Sequence, residues 1–135
     1  MTAEYPLQYL EGIRLFNEEE FFECHDMLEE LWTETRGEER KFYQGLIQAA
    51  VALFHFGNEN IGGARKLYGS SCNYLESYLE SNGERYMGID LKKFLQDFEI
   101  CFREVVESGP EYPTDVVLKD ELVPSIDFEN TGIEK

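Results

Sequence analysis

FYQGLIQAAVALFHF, residues 42–56, is apolar nearly all the way round a helical wheel, the mark of a central, buried helix. One stripe breaks that surface. Gln44, Gln48 and His55 project within about 40° of one another at 3.6 residues per turn, with Val51 between them. Buried polar groups need hydrogen-bond partners, and each one left without costs roughly 1–3 kcal/mol. The stretch before it, FFECHDMLEELW, residues 21–32, is a second helix with two faces. Phe21, Cys24, Met27, Leu28, Leu31 and Trp32 share the apolar face, with Phe22 assigned beside Phe21 to the core. Glu23, Asp26, Glu30 and Glu34 lie opposite, towards solvent. His25 and Glu29, four apart, sit together on the border, where a polar group is half-buried.

Working outward, an all-α fold of about five helices follows. The first helix spans residues 5–16, with Pro6 in its first turn and Leu7, Leu10, Ile13 and Phe16 at helical spacing. The acids at 18–20 make a turn and the negative start of a second helix, residues 19–35. Arg36-Gly37 ends it, with Gly37 expected in a left-handed cap, and the third helix covers 38–56. A fourth, residues 61–80, opens with small residues, and the glycines and serines up to 71 predict a close approach to the third. Residues 81–90 read as a loop, and the fifth helix, 91–107, carries the clearest amphipathic stripe. Gly109-Pro110 stops it. The tail, residues 111–135, has no helical period. Its Val116, Val117, Leu118, Leu122, Val123, Ile126 and Phe128 predict an extended strap packed on the bundle.

The 135 residues are one domain's worth of chain, residues 1–135, with the helical body at about 5–107. Aromatic residues at 14% and apolar residues at 42% argue against disorder. The longest apolar run, residues 49–54, falls far short of the roughly 20 that cross a bilayer. A net charge of −16 argues against nucleic acid and anionic membrane surfaces as partners, because phosphate binding needs clustered Lys and Arg. The first dozen residues lack the build of a secretory signal. Cys24, Cys72 and Cys101 fit neither a disulfide framework nor a zinc knuckle. Together these features point to a cytoplasmic, acidic protein.

LFNEEEFFECHDML and HFGNENIGGARKLY echo each other at a shift of 40 residues, aligning Phe16 with Phe56, Phe21 with Ile61, Cys24 with Ala64 and Met27 with Leu67. Each copy is a helix, a polar turn and a helix, as in tetratricopeptide-type hairpins. Two copies fall short of the three that a solenoid needs, so the fifth helix and the tail close the bundle.

The blocks Phe22-Glu23-Cys24-His25-Asp26, Glu29, Trp32, Gln44-Gly45-Leu46-Ile47-Gln48 and His55 occur in order. With the run from residue 57 onward, GN-x-x-x-x-G-A-R-K-L-Y, they resemble domain-of-unknown-function family 309 over about residues 11–79. Asp26 stands where Glu is the commoner residue. The resemblance implies a small all-helical intracellular domain and carries no activity.

The candidate site is a polar cluster of His25 and Glu29 with Gln44, Gln48 and His55. Antiparallel neighbours pack directly, which predicts His25 near His55 and Glu29 nearer Gln48. His25, His55 and Glu29 could hold a divalent metal such as Zn²⁺ or Fe²⁺ with a position open. His25 could equally be a general base oriented by Glu29, or the cluster could take a small ligand. A plain alternative is a satisfied hydrogen-bond network that fixes helix register, with function lying in protein interaction through the hairpin surface. Stronger signatures are missing: no His-Glu-x-x-His, no Glu-x-x-His of di-iron bundles, and no phosphate-cradling glycine loop. Arg40 and Arg65 are expected to pair with acids such as Glu29 or Glu76.

Overall fold

The computed structural model describes residues 5–108 and 116–129. Among the described residues there are five α-helices: α1 (Leu7–Asn17), α2 (Phe21–Glu34), α3 (Glu39–Gly57), α4 (Ile61–Asn82) and α5 (Leu91–Glu107). The all-α architecture and the helix order agree with the sequence pattern, and α5 has the expected bounds. No helix among the described residues is long and apolar enough to cross a membrane.

Successive helices run antiparallel. Gly12 of α1 lies against Leu28 of α2, and a Cβ there would come within 2.5 Å of the leucine Cδ2. Tyr78, late in α4, packs its ring on Phe42, early in α3, and its hydroxyl donates to the Glu38 carbonyl. Tyr68 of α4 stacks on Phe102 of α5, with centroids 4.8 Å apart and planes 8° apart. Helix α3 is the middle layer, with Phe42, Leu46, Ala49, Ala50, Ala52 and Leu53 all buried.

The forty-residue echo is a true repeat of geometry. In the first connection Glu19 N–H donates to the Phe16 carbonyl and Glu20 N–H to the Leu15 carbonyl. In the second, Glu59 N–H donates to Phe56 and Asn60 N–H to His55. The aligned pairs Phe16 and Phe56, Phe21 and Ile61, and Cys24 and Ala64 are all buried.

Three local readings are corrected. Gly37 is not among the residues with positive φ; Thr35, with ψ of 136°, takes the chain out of α2, and its hydroxyl donates to the Leu31 carbonyl. The loop at 81–90 contains a hairpin, β1 (Arg85–Tyr86) paired with β2 (Ile89–Asp90), turning through Met87 and Gly88 at φ of 49° and 82°. Positive φ at both turn residues is the two-residue turn that suits strand twist. Of the small residues expected to bring α4 close to α3, Ser71 does so, buried with its hydroxyl on the Gly45 carbonyl, whereas Gly69 faces open space; on the α3 side the close approach is at Gly45, whose α-carbon faces Leu75 and Tyr74.

The strap is present over residues 116–129, interrupted by one 3-10 turn (Asp120–Leu122). Asn17 pins it from both sides: its Oδ1 accepts from Ile126 N–H at 2.6 Å and its Nδ2 donates to the Ile126 carbonyl at 3.0 Å. Phe128 then bridges to Ile89, so the strap runs on along the hairpin. The remainder of the tail, 109–115 and 130–135, lies outside the described residues.

Candidate functional site

Two contacts set the register of α2 against α3. At one end the Arg40 guanidinium lies over the Trp32 ring, 3.8 Å from its centroid. At the other, the Phe22 and Phe54 rings are 5.6 Å apart. Between these contacts α2 runs back from 32 to 22 while α3 runs forward from 40 to 54. Among the described residues the contacts of His25 are with Phe22, Asp26 and Glu29, and those of His55 with Phe54 and Asn60.

His55 has a different occupation. Asn60, the N-cap of α4, accepts the Gly63 N–H on its Oδ1, so its amide nitrogen is left to donate to His55 Nδ1, 3.3 Å away. The imidazole thus ties the end of α3 to the start of α4. Among the described residues no three His, Cys, Asp or Glu side chains converge as a metal-binding group. His25, His55 and Glu29 accordingly do not form the expected metal triad.

His25 and Glu29 do meet, with Nε2 3.3 Å from Glu29 Oε2. The other ring nitrogen, Nδ1, lies 3.3 Å from Asp26 Oδ1 at an angle that makes no hydrogen bond, and it is buried. Gln44 and Gln48 are half-buried, as the polar stripe requires. Gln48 Oε1 is itself sealed from solvent without a partner, and so is Trp32 Nε1. Among the described residues four side-chain atoms are in this state. Three of them, on His25, Trp32 and Gln48, belong to the α2–α3 pair; the fourth is on Arg85. Native structures pair nearly all such groups with protein or bound molecules, so their concentration along one seam is informative.

Other expectations about side chains change. Phe22 is 52% exposed and pairs with Phe54, 37% exposed, so it is not core. Arg40 stacks on Trp32 in place of an acid. Arg65 donates from Nε to the Val105 carbonyl at 3.2 Å and from Nη2 to Ser108 Oγ at 2.8 Å, placing its charge at the C-terminal, negative end of α5. Burial pushes the Cys24 thiol up to about 12, which removes it as a nucleophile near neutral pH. The Trp32–Arg40 stack was the feature that sequence reasoning missed; an aromatic residue and an arginine flanking a short helix turn were its only signal.

An antiparallel five-helix domain with a polar α2–α3 seam is the class that this geometry defines. The chain belongs to the DUF309 family. The family profile, Domain of unknown function (DUF309), matches residues 9–67, from within α1 to the first turns of α4, and so takes in all of α2 and α3. The chain is also 32% identical over 120 residues to uncharacterized protein YpuF of Bacillus subtilis (strain 168), over 87% of this chain and 67% of that protein. No solved structure matches it.

Proposed function

We propose that this single domain binds a small polar ligand in the α2–α3 seam, through His25, Glu29, Gln44 and Gln48, with Trp32 at one end. The observation that supports this reading is the set of buried atoms without a hydrogen bond on His25, Trp32 and Gln48. A donor, an acceptor and a ring nitrogen that can be either make a set that a polar solute can satisfy. Metal is not needed for it. A reducing compartment, the cytoplasm, suits the three unbridged thiols.

Gln48→Met tests the reading, because it keeps the shape and removes the acceptor. In ligand-free protein it should leave the unfolding midpoint unchanged or raise stability by up to about 1 kcal/mol, since an unpaired buried atom is removed. A loss above about 1 kcal/mol would mean that the amide is satisfied within the protein and is purely structural.

A second reading has its own support. Phe22 and Phe54 form an exposed aromatic pair at the open end of the hairpin, a feature suited to a protein partner. In that reading the seam serves only packing, and Gln48→Met costs stability.

A further inference from the structure

Where α2 hands over to α3, Thr33, Thr35, Arg36 and Arg40 line an open cleft of about 420 Å³. Both threonine hydroxyls are already spent as donors, on the Glu29 and Leu31 carbonyls at 2.9 and 2.7 Å. The donors that remain on its walls are the two guanidinium groups. The surroundings make those groups unusual. The chain carries 28 acids against 12 Lys and Arg, and Glu34, Glu38 and Glu39 flank this very turn. Arg14, Arg85 and Arg103 each take carboxylate partners. Yet among the described residues neither Arg36 nor Arg40 has a carboxylate within ion-pair distance. Arg40 is instead held over the Trp32 ring, its Cζ 3.8 Å from the centroid, a contact that uses the cation's face and none of its N–H groups.

We propose that this cleft binds a small oxyanion, the phosphate or carboxylate end of a small molecule, gripped by Arg36 and Arg40. Two planar forks facing one space suit the paired oxygens of such a group, and a cleft of this volume admits a small metabolite. The repulsive field of a −16 chain makes the site discriminating: an anion is retained there only through short-range, geometrically matched contacts, since charges beyond about 8 Å are screened at physiological salt. The proposal shares Trp32 with the seam, but the groups that grip the anion, Arg36 and Arg40, take no part in the seam site.

Trp32 is the sole tryptophan and lies beneath Arg40, so its fluorescence reports the cleft. Inorganic phosphate and malonate are titrated separately against the full chain, at ionic strength held constant with sodium chloride. A saturable change with one or both is expected, phosphate alone assigning a phosphate group and malonate alone a carboxylate. Arg36→Gln, at an exposed position that leaves the reporter intact, should weaken that binding at least tenfold, and Arg40→Gln likewise. No saturable change with either anion would overturn the proposal, as would a midpoint that Arg36→Gln leaves unmoved in a protein with native circular dichroism.

Discussion

Glu19 and Glu59, forty positions apart, stand in the same left-handed conformation, at φ of 62° and 65°, each in the middle of a three-residue turn between antiparallel helices. Both turns close with the same pair of backbone hydrogen bonds, so the echo in the sequence is an echo in the backbone. A side chain in this region costs about 1–2 kcal/mol, which glycine avoids at an entropic cost of about 0.5–1 kcal/mol. Glu19→Gly and Glu59→Gly should each raise stability, by about 0.5–1 kcal/mol. Glu19→Val and Glu59→Val should lower it. Denaturant midpoints of the four variants check both signs.

The α3–α4 contact should tolerate no added methyl at Gly45. A Cβ there would sit 2.7 Å from Leu75 Cδ2 and 3.1 Å from Tyr74 Cβ, and Leu75 is fully buried. Gly45→Ala should therefore cost about 1–3 kcal/mol. Ser71→Ala, which removes the buried bond from Ser71 Oγ to the Gly45 carbonyl at 2.7 Å, should cost about 1 kcal/mol. Gly69→Ala faces open space and should be neutral or stabilising, so the three variants separate contact from helix propensity.

His55 is assigned to the α3–α4 cap and His25 to the seam. Asn60→Ala should lower stability by about 1 kcal/mol through loss of the cap. His55→Ala should also lower it, and the double variant should lose less than the sum, because the two side chains share one interaction. A double-mutant cycle measures that coupling. His25→Ala should show no coupling to Asn60.

Alkaline pH should unfold the protein early. Burial pushes the Cys24 and Cys101 thiols up to about 12. In the unfolded chain such a thiol ionises near 8.5, so between about 8.5 and 12 only the unfolded state releases the proton. The unfolded state then binds fewer protons, and stability falls as pH rises, by up to about 1.4 kcal/mol per pH unit for each thiol. Tyr43 and Tyr86, raised to about 12 mainly by burial, steepen the fall above pH 10. Urea midpoints at pH 8, 9 and 10 follow the slope, and Cys24→Ala should flatten it.

The helices were legible because their apolar spacing is strong and their ends carry clear signals, as at α5, where Asp90 caps the Lys93 N–H and the bounds came out as read. The hairpin at 85–90 was not, because two-residue strands show no alternation and a Met87-Gly88 turn lacks the usual Asn-Gly cue. Of the site, His25 with Glu29 and the half-buried glutamines were visible as border positions on helical wheels. Their register was not. A wheel gives the angle of a residue around its helix and nothing about how far one helix slides along another, nor that His55, at the end of α3, would meet the Asn60 cap of α4. Arg40 was misassigned for a related reason: charge alone suggests an acid as partner, whereas a ring face competes for the same guanidinium.

The most direct measurement is a crystal structure of the protein purified without dialysis, at a resolution that defines ordered solvent around the α2–α3 seam. A binding seam requires non-protein, non-water density within hydrogen-bond distance of at least two of His25 Nδ1, Trp32 Nε1 and Gln48 Oε1. A closed seam, in which all three atoms are paired with protein groups or with water alone, would contradict it.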